Sequence, residues 1–133
     1  IDSVMTAADG SYSFELMAGG DYTLTPFKNS LASNGVSTFD IVLMQKHILQ
    51  VATLPEAYQL LAADVNDSGT ITTFDIVNMR KVILNVTDEF PGSNSWRFDP
   101  SMISVMDLNS NLSDQDFMGY KVGDVTGNAD PNQ

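Results

Sequence analysis

DVNDSGTITTFD, residues Asp64 to Asp75, decides how this chain is read. Oxygen-bearing side chains fall at positions 1, 3, 5 and 12 of this stretch, with glycine at position 6. That spacing lets one continuous loop wrap a calcium ion. Asp64, Asn66 and Ser68 supply alternate oxygens, Thr70 offers its backbone carbonyl, and Thr72 acts directly or through water. Asp75 closes the shell from the first turn of a following helix, with a shorter reach than the Glu usual at this position. Gly69 permits the sharp turn, and Ile71 is placed to pin the loop to a core. The plainer alternative is a polar turn before a helix capped by Thr72.

Working outward, the loop belongs to a repeat. VSTFDIVLMQKHIL (Val36 to Leu49) aligns with ITTFDIVNMRKVIL (Ile71 to Leu84) with 9 identities in 14 positions, at a constant offset of 35 residues. Self-similarity at fixed spacing predicts two copies of one loop-helix unit packed together. In the first copy the ligand positions fall on Asn29, Ser33, the backbone carbonyl of Gly35, and Asp40. Leu31 replaces the third-position ligand and Asn34 replaces the glycine. Asn tolerates the left-handed backbone, so the turn survives. This loop either binds metal with help from backbone carbonyls or is a retained structural turn.

The pair, DVNDSGTITTFD with IVNMRKVIL and FDIVLMQKHIL, resembles a dockerin domain, the duplicated EF-hand-like calcium-loop-helix module that docks secreted enzymes onto cohesin modules. The resemblance covers roughly residues 29 to 86. It implies partner-reading positions at Thr38, Phe39, Gln45 and Lys46 in copy one, and at Thr73, Phe74, Arg80 and Lys81 in copy two. Phe39 and Phe74 read equally as anchors that pack the two helices against each other.

Alternation marks the preceding segment as strand. Tyr12, Phe14 and Leu16 share one face, Ser11, Ser13 and Glu15 the other, between the turn signals Asp9-Gly10 and Gly19-Gly20. TAADGSYSFELMAGGDYTLTPFK (Thr6 to Lys28) resembles the closing hairpins of the carboxypeptidase regulatory-like, or transthyretin-like, β-sandwich of bacterial surface proteins. The resemblance implies that tail strands around NSWRF and DFMGYKVGDVTGN return to that sandwich.

Coarsely, the pattern predicts strands over residues 3 to 25 and helices near 38 to 50, 55 to 63 and 73 to 85. Trp96 to Phe98 and Phe117 to Val122 read as strands, with a polar surface loop over 107 to 115. Phe39, Val42, Leu43, Met44, Ile48 and Leu49 are expected to bury against Phe74, Val77, Met79, Ile83 and Leu84. The expected fold class is α+β, with β-sandwich-like strands at both ends flanking a dockerin-like pair. Residues 1–28 and 92–125 form the sandwich-like part, 29–91 the helical part and 126–133 an acidic tail. In that tail Asp124, Thr126, Asn128 and Asp130 repeat calcium-loop spacing, although no helix follows to supply a twelfth ligand. It is a frayed terminus, or a site completed by a neighbouring surface.

Charge and composition narrow the function. Six basic against 17 acidic residues give a net charge of −11, which repels nucleic acid and anionic membranes. The absence of cysteine excludes disulfides and thiolate metal sites. Small extracellular domains without disulfides use metal as the staple instead. No apolar run reaches the roughly 20 residues of a membrane span. A start at Ile1, with no signal peptide, fits a processed chain or a piece of a longer one. His47 is the only histidine and sits in a helical pattern, and neither a nucleophile motif nor a phosphate-cradling loop occurs. The expectation is therefore a non-enzymatic, extracellular or cell-surface, calcium-binding docking module with a cohesin-like protein partner. The alternatives are a filament subunit completed by strand exchange between copies of this chain, and a passive spacer.

Overall fold

Three helices and four strands, an α+β fold as expected, make up residues 2–133 described by this computed structural model. The strands form two antiparallel pairs rather than one sheet. Two compact units divide the chain. One runs through Thr25 and takes in Met102–Asp116; the other joins Pro26–Ser101 to Phe117–Gln133.

In the first unit, β1 (Tyr22–Leu24) pairs with β3 (Ile103–Val105), Thr23 opposite Ser104. The pairing extends past the strand, where Leu108 N–H donates to Gly20 O at 2.9 Å. The Asp9-Gly10 turn is present: Gly10 N–H donates to Ala7 O, and Gly10 takes φ +85°. The alternating segment 11–16 is not a strand, which corrects the expectation for residues 3 to 25. Its side chains are held differently. The Tyr12 hydroxyl donates to Gln115 O at 2.5 Å, and the Phe14 ring meets Tyr12 edge-on at 6.2 Å. Alternation alone does not make a strand, because each strand also needs a backbone partner in register.

The second unit holds the helices α1 (Thr38–Ile48), α2 (Ala57–Ala63) and α3 (Thr73–Ile83), with β2 (Trp96–Asp99) paired to β4 (Met118–Lys121). The two repeat helices start alike. Asp40 and Asp75, each third in its helix, accept the backbone N–H of Ser37 and Thr72 at 2.8 Å. They also end alike, with Gln50 and Asn85 in the left-handed region and the next N–H returning to Lys46 O and Lys81 O. Such paired closures satisfy the last orphan carbonyls.

The buried stripe is Ile41 and Met44 on α1 against Ile76, Met79 and Val82 on α3, with Ile48 and Ile83 packed at its edge. Met44 and Met79 are fully buried. Each contributes roughly 1.5–3 kcal/mol by leaving water. This corrects the expected helix interface. Phe39, Val42 and Leu49, with their mates Phe74, Val77 and Leu84, are 41–72% exposed. At about 100° per residue, a stripe running through 41, 44 and 48 turns 39, 42 and 49 away from it.

The remaining core comes from β4 and the segment after it: Tyr120, Val122 and Val125 are buried with Ala62, Ala63 and Val65. Gly123 N–H donates to Ala62 O at 2.8 Å. The expected grouping of 92–125 with the N-terminal strands is therefore corrected. β2, β4 and residues 117–133 belong with the helices, and only 102–116 joins the first unit. No helix among the described residues is long and apolar enough to cross a membrane.

Candidate metal centre

The 64–75 loop closes on itself through its own oxygens and amides. Asp64 enters from the end of α2, and its carboxylate accepts Ser68 N–H at 3.0 Å and Gly69 N–H at 2.7 Å. Asp75 reaches in from the first turn of α3 and accepts Val65 N–H at 3.1 Å. Asp67 and Gly69 both take positive φ, +56° and +90°, which bends the chain around a centre. Ile71 packs against the core, as expected.

At that centre the amide oxygen of Asn66 lies 3.0 Å from Asp64 Oδ1, 3.0 Å from Ser68 Oγ and 3.1 Å from Asp75 Oδ1. The Ser68 hydroxyl is the only proton carrier among these four oxygens. A cation resolves such convergence. Without one, rotating the amide would place its NH₂ toward the same three acceptors. The donor chemistry fits calcium: two carboxylates, an amide and a hydroxyl, all oxygen. Thr70 O lies beside them, accepting from Ser68 Oγ at 3.2 Å. Thr72 has another task, since its hydroxyl accepts Phe74 N–H at 3.2 Å and caps α3.

The first copy is built differently from the expected Asn29, Ser33, Gly35 and Asp40 loop. Asn29 Oδ1 accepts Ser95 N–H at 2.9 Å, and Ser33 closes a turn through its carbonyl to Val36 N–H. The hydrogen bonds of Asp40 go instead to Ser37 and Val125. The chain before Gly35 takes another route, and the vacated half of the loop is supplied by the C-terminal segment. Asp40 Oδ1 accepts Val125 N–H at 3.0 Å, matching Asp75 and Val65. Asp124 accepts Ala129 N–H at 2.8 Å, matching Asp64 and Gly69. The amide oxygen of Asn128 lies 3.0 Å from Asp124 Oδ1, 3.2 Å from Thr126 Oγ1 and 3.1 Å from Gly35 O. Gly35 has to be glycine: a Cβ there would lie 2.7 Å from Ala129 Cα. Asp130 stands outside this group. Its carboxylate accepts Asn132 N–H, and its backbone is bonded to Asn34 in both directions.

Burial pushes the carboxyls of Asp75 and Asp40 above their ordinary range, against hydrogen bonds from Thr72 and Ser37, and the neighbouring charges of Asp64 and Asp124 add to the rise. Among the described residues no three His, Cys, Asp or Glu side chains gather at one point. Acidic groups meet in pairs, and neutral oxygens complete each set.

Two cationic side chains that sequence reasoning did not single out hold the surroundings. Arg97 on β2 donates to Asp64 O and, at 3.2 Å, to the Asp67 carboxylate. Lys121 on β4 donates to Ala32 O at 2.5 Å and Val122 O at 2.8 Å, and burial lowers its pKa to about 8. A lone Arg and a lone Lys within short strands give no sequence signal for these roles. His47 has a structural task, since its Nδ1 accepts Leu54 N–H at 3.0 Å. The sequence matches no family model, no curated protein and no solved structure.

Proposed function

We propose that this chain is a secreted, non-catalytic module that binds calcium in its 64–75 loop and docks a protein partner at the cell surface. The dockerin-like reading of its paired loop-helix units follows from the same features. The observation that carries the proposal is the convergence of Asp64, Ser68 and Asp75 oxygens on the Asn66 amide oxygen at 3.0–3.1 Å. When bound, calcium supplies the positive charge that holds these oxygens together and offsets the Asp64–Asp75 repulsion. The chain's own residues set the frame: the α3 cap fixes Asp75, the Gly69 turn brings Asp64 round, and Arg97 anchors the loop from outside.

The docking part of the reading is supported by surface symmetry. Thr38, Phe39, Gln45 and Lys46 are all exposed, and so are Thr73, Phe74, Arg80 and Lys81 at the offset of 35. Residues that pack no core yet repeat in both helices form a matched surface, and aromatic residues with Arg are enriched at protein interfaces. Calcium in this loop acts by fixing the start of α3, which carries Phe74.

The test is thermal unfolding with and without calcium. At free calcium 100-fold above the dissociation constant, one site adds about 2.7 kcal/mol, a Tm rise on the order of 10 °C for a unit of this size. Asp64→Asn with Asp75→Asn keeps the side-chain volumes and removes both charges, so the calcium-dependent rise should shrink by that amount. A rise as large as in the parent protein refutes the assignment. A second reading, self-assembly by strand addition, is favoured by the β1–β3 sheet, whose strands pair only with each other among the described residues. It predicts large particles in light scattering without any added partner.

A further inference from the structure

We propose that the chain holds a second calcium site, split between two remote segments: Asp124, Thr126 and Asn128 from the C-terminal segment, and Gly35 O and Asp40 from the start of α1. The inference rests on the calcium reading of the 64–75 loop and extends it to residues that no continuous loop contains. Asp40 and Val125, joined across this site, are 85 positions apart in the chain.

Two independent observations point to a cation there. First, the end of the Asn128 amide is ringed by a carboxylate, a hydroxyl and a carbonyl oxygen at 3.0–3.2 Å, with only the Thr126 proton among them. That proton is already engaged, since the Thr126 hydroxyl donates to Asp124 Oδ1 at 3.0 Å. Such a setting is filled by a cation when the amide oxygen faces in, and by the amide NH₂ when it is turned round. Second, Asp40 is 0% and Asp124 4% exposed, and neither has a counter-charge in ion-pair range. The one salt bridge among the described residues, Arg97–Asp67, lies elsewhere. Lys121, the buried ammonium of this region, feels the charge of both carboxylates but lies outside ion-pair range, and its hydrogen bonds go to the carbonyls of Ala32 and Val122. Buried carboxylates with no ion-pair partner are costly, and a divalent ion between them removes that cost.

The ligand types match those of the continuous loop: two carboxylates, a hydroxyl, an amide oxygen and a backbone carbonyl. Hard oxygen donors of mixed charge suit calcium. Because one half-loop comes from the C-terminal segment, the ion fastens that segment to α1. Its binding must also order chain that the continuous loop keeps ordered by covalent connection, so the split site is the weaker of the two.

Calorimetric titration of the full chain with calcium chloride tests this. Two ions should bind. Asn128→Ala with Thr126→Val changes exposed or half-exposed neutral ligands only, and should weaken one ion at least ten-fold. Asp64→Asn with Asp75→Asn should remove the other. In hydrogen exchange, calcium should protect the amides of Gly127 and Ala129 in the parent protein but not in the Asn128 variant. One ion, lost only with the Asp64 and Asp75 changes, would overturn the split site and leave the 64–75 loop standing. Two ions untouched by the Asn128 variant would overturn it as well. No uptake at all would remove both sites together.

Discussion

Asn66, two residues after Asp64, and Asn128, four residues after Asp124, each turn an amide into an oxygen group, and the way that amide faces decides which charge state the group accepts. With the oxygen inward it would complete a cation shell; with the NH₂ inward it bridges acceptors in a metal-free loop. The carboxyls behind them respond to acid in a defined direction. Asp40 and Asp75 titrate above the ordinary 3.8 when folded, chiefly through burial. Folding without calcium therefore takes up protons. The stability these groups contribute is complete below pH 3.8 and is lost as the pH rises through their folded values. Calcium-stripped protein should accordingly gain stability as the pH falls from 7 toward 3.8, whereas calcium-saturated protein should lose it, because protons and the ion compete for the same oxygens. Urea midpoints at the two pH values measure this. The acid gain should be absent from an Asp40→Asn, Asp75→Asn variant, and its persistence there would place the effect elsewhere. The Asp64–Asp75 group was legible in the sequence because one short loop carries all of its oxygens. The Asp40 group was not, since Asn29 and Ser33 occupied the expected positions and the actual partners lie far along the chain. Asp124-Val125 does repeat Asp64-Val65. Joined to the missing third-position ligand at Leu31, that repeat was the available clue.

At the scale of elements, the 35-residue repeat announced α1 and α3, and Thr72 reads as a cap of the second; the structure adds that Asp40 and Asp75 close both helix starts alike. What the repeat left open was the rotation of each helix. Apolar residues occur nearly all round both helices, so counting them did not select a face. The buried stripe through Ile41 and Met44 is set by the carboxylate that precedes it, because Asp40 and Asp75 must turn inward to reach Val125 and Val65. Phe39 and Phe74 are thereby turned outward. Their truncation carries a clear expectation: Phe39→Ser with Phe74→Ser should change stability by no more than about 0.5 kcal/mol each, as surface positions do, whereas large-to-small changes of buried residues cost several-fold more. Circular dichroism melts in calcium check this. A loss of about 3 kcal/mol would make the pair helix anchors and withdraw them from a docking surface.

For the whole molecule, electrostatics and metal act on the same balance. The chain carries 17 acidic against 6 basic residues, and part of that excess converges at two oxygen groups within the second unit. Two bound calcium ions would bring the net charge from −11 to about −7. Self-repulsion in the metal-free protein is spread over the surface as well as held in the buried pairs, and added salt screens only the former. The screening length falls from about 30 Å at 0.01 M to about 8 Å at 0.15 M ionic strength. Sodium chloride over that range should raise the Tm of calcium-stripped protein more than that of calcium-saturated protein, so the gap between them narrows. Ordinary salting-out of apolar surface raises both curves alike and cancels in the difference. The gap should not close, because sodium lacks the charge to hold Asp64 with Asp75 or Asp40 with Asp124 once they are removed from water. Differential scanning calorimetry at matched protein concentration gives both curves. Parallel curves would mean that surface repulsion is negligible, and convergence would mean that the ion acts by screening alone rather than by ligation at named oxygens.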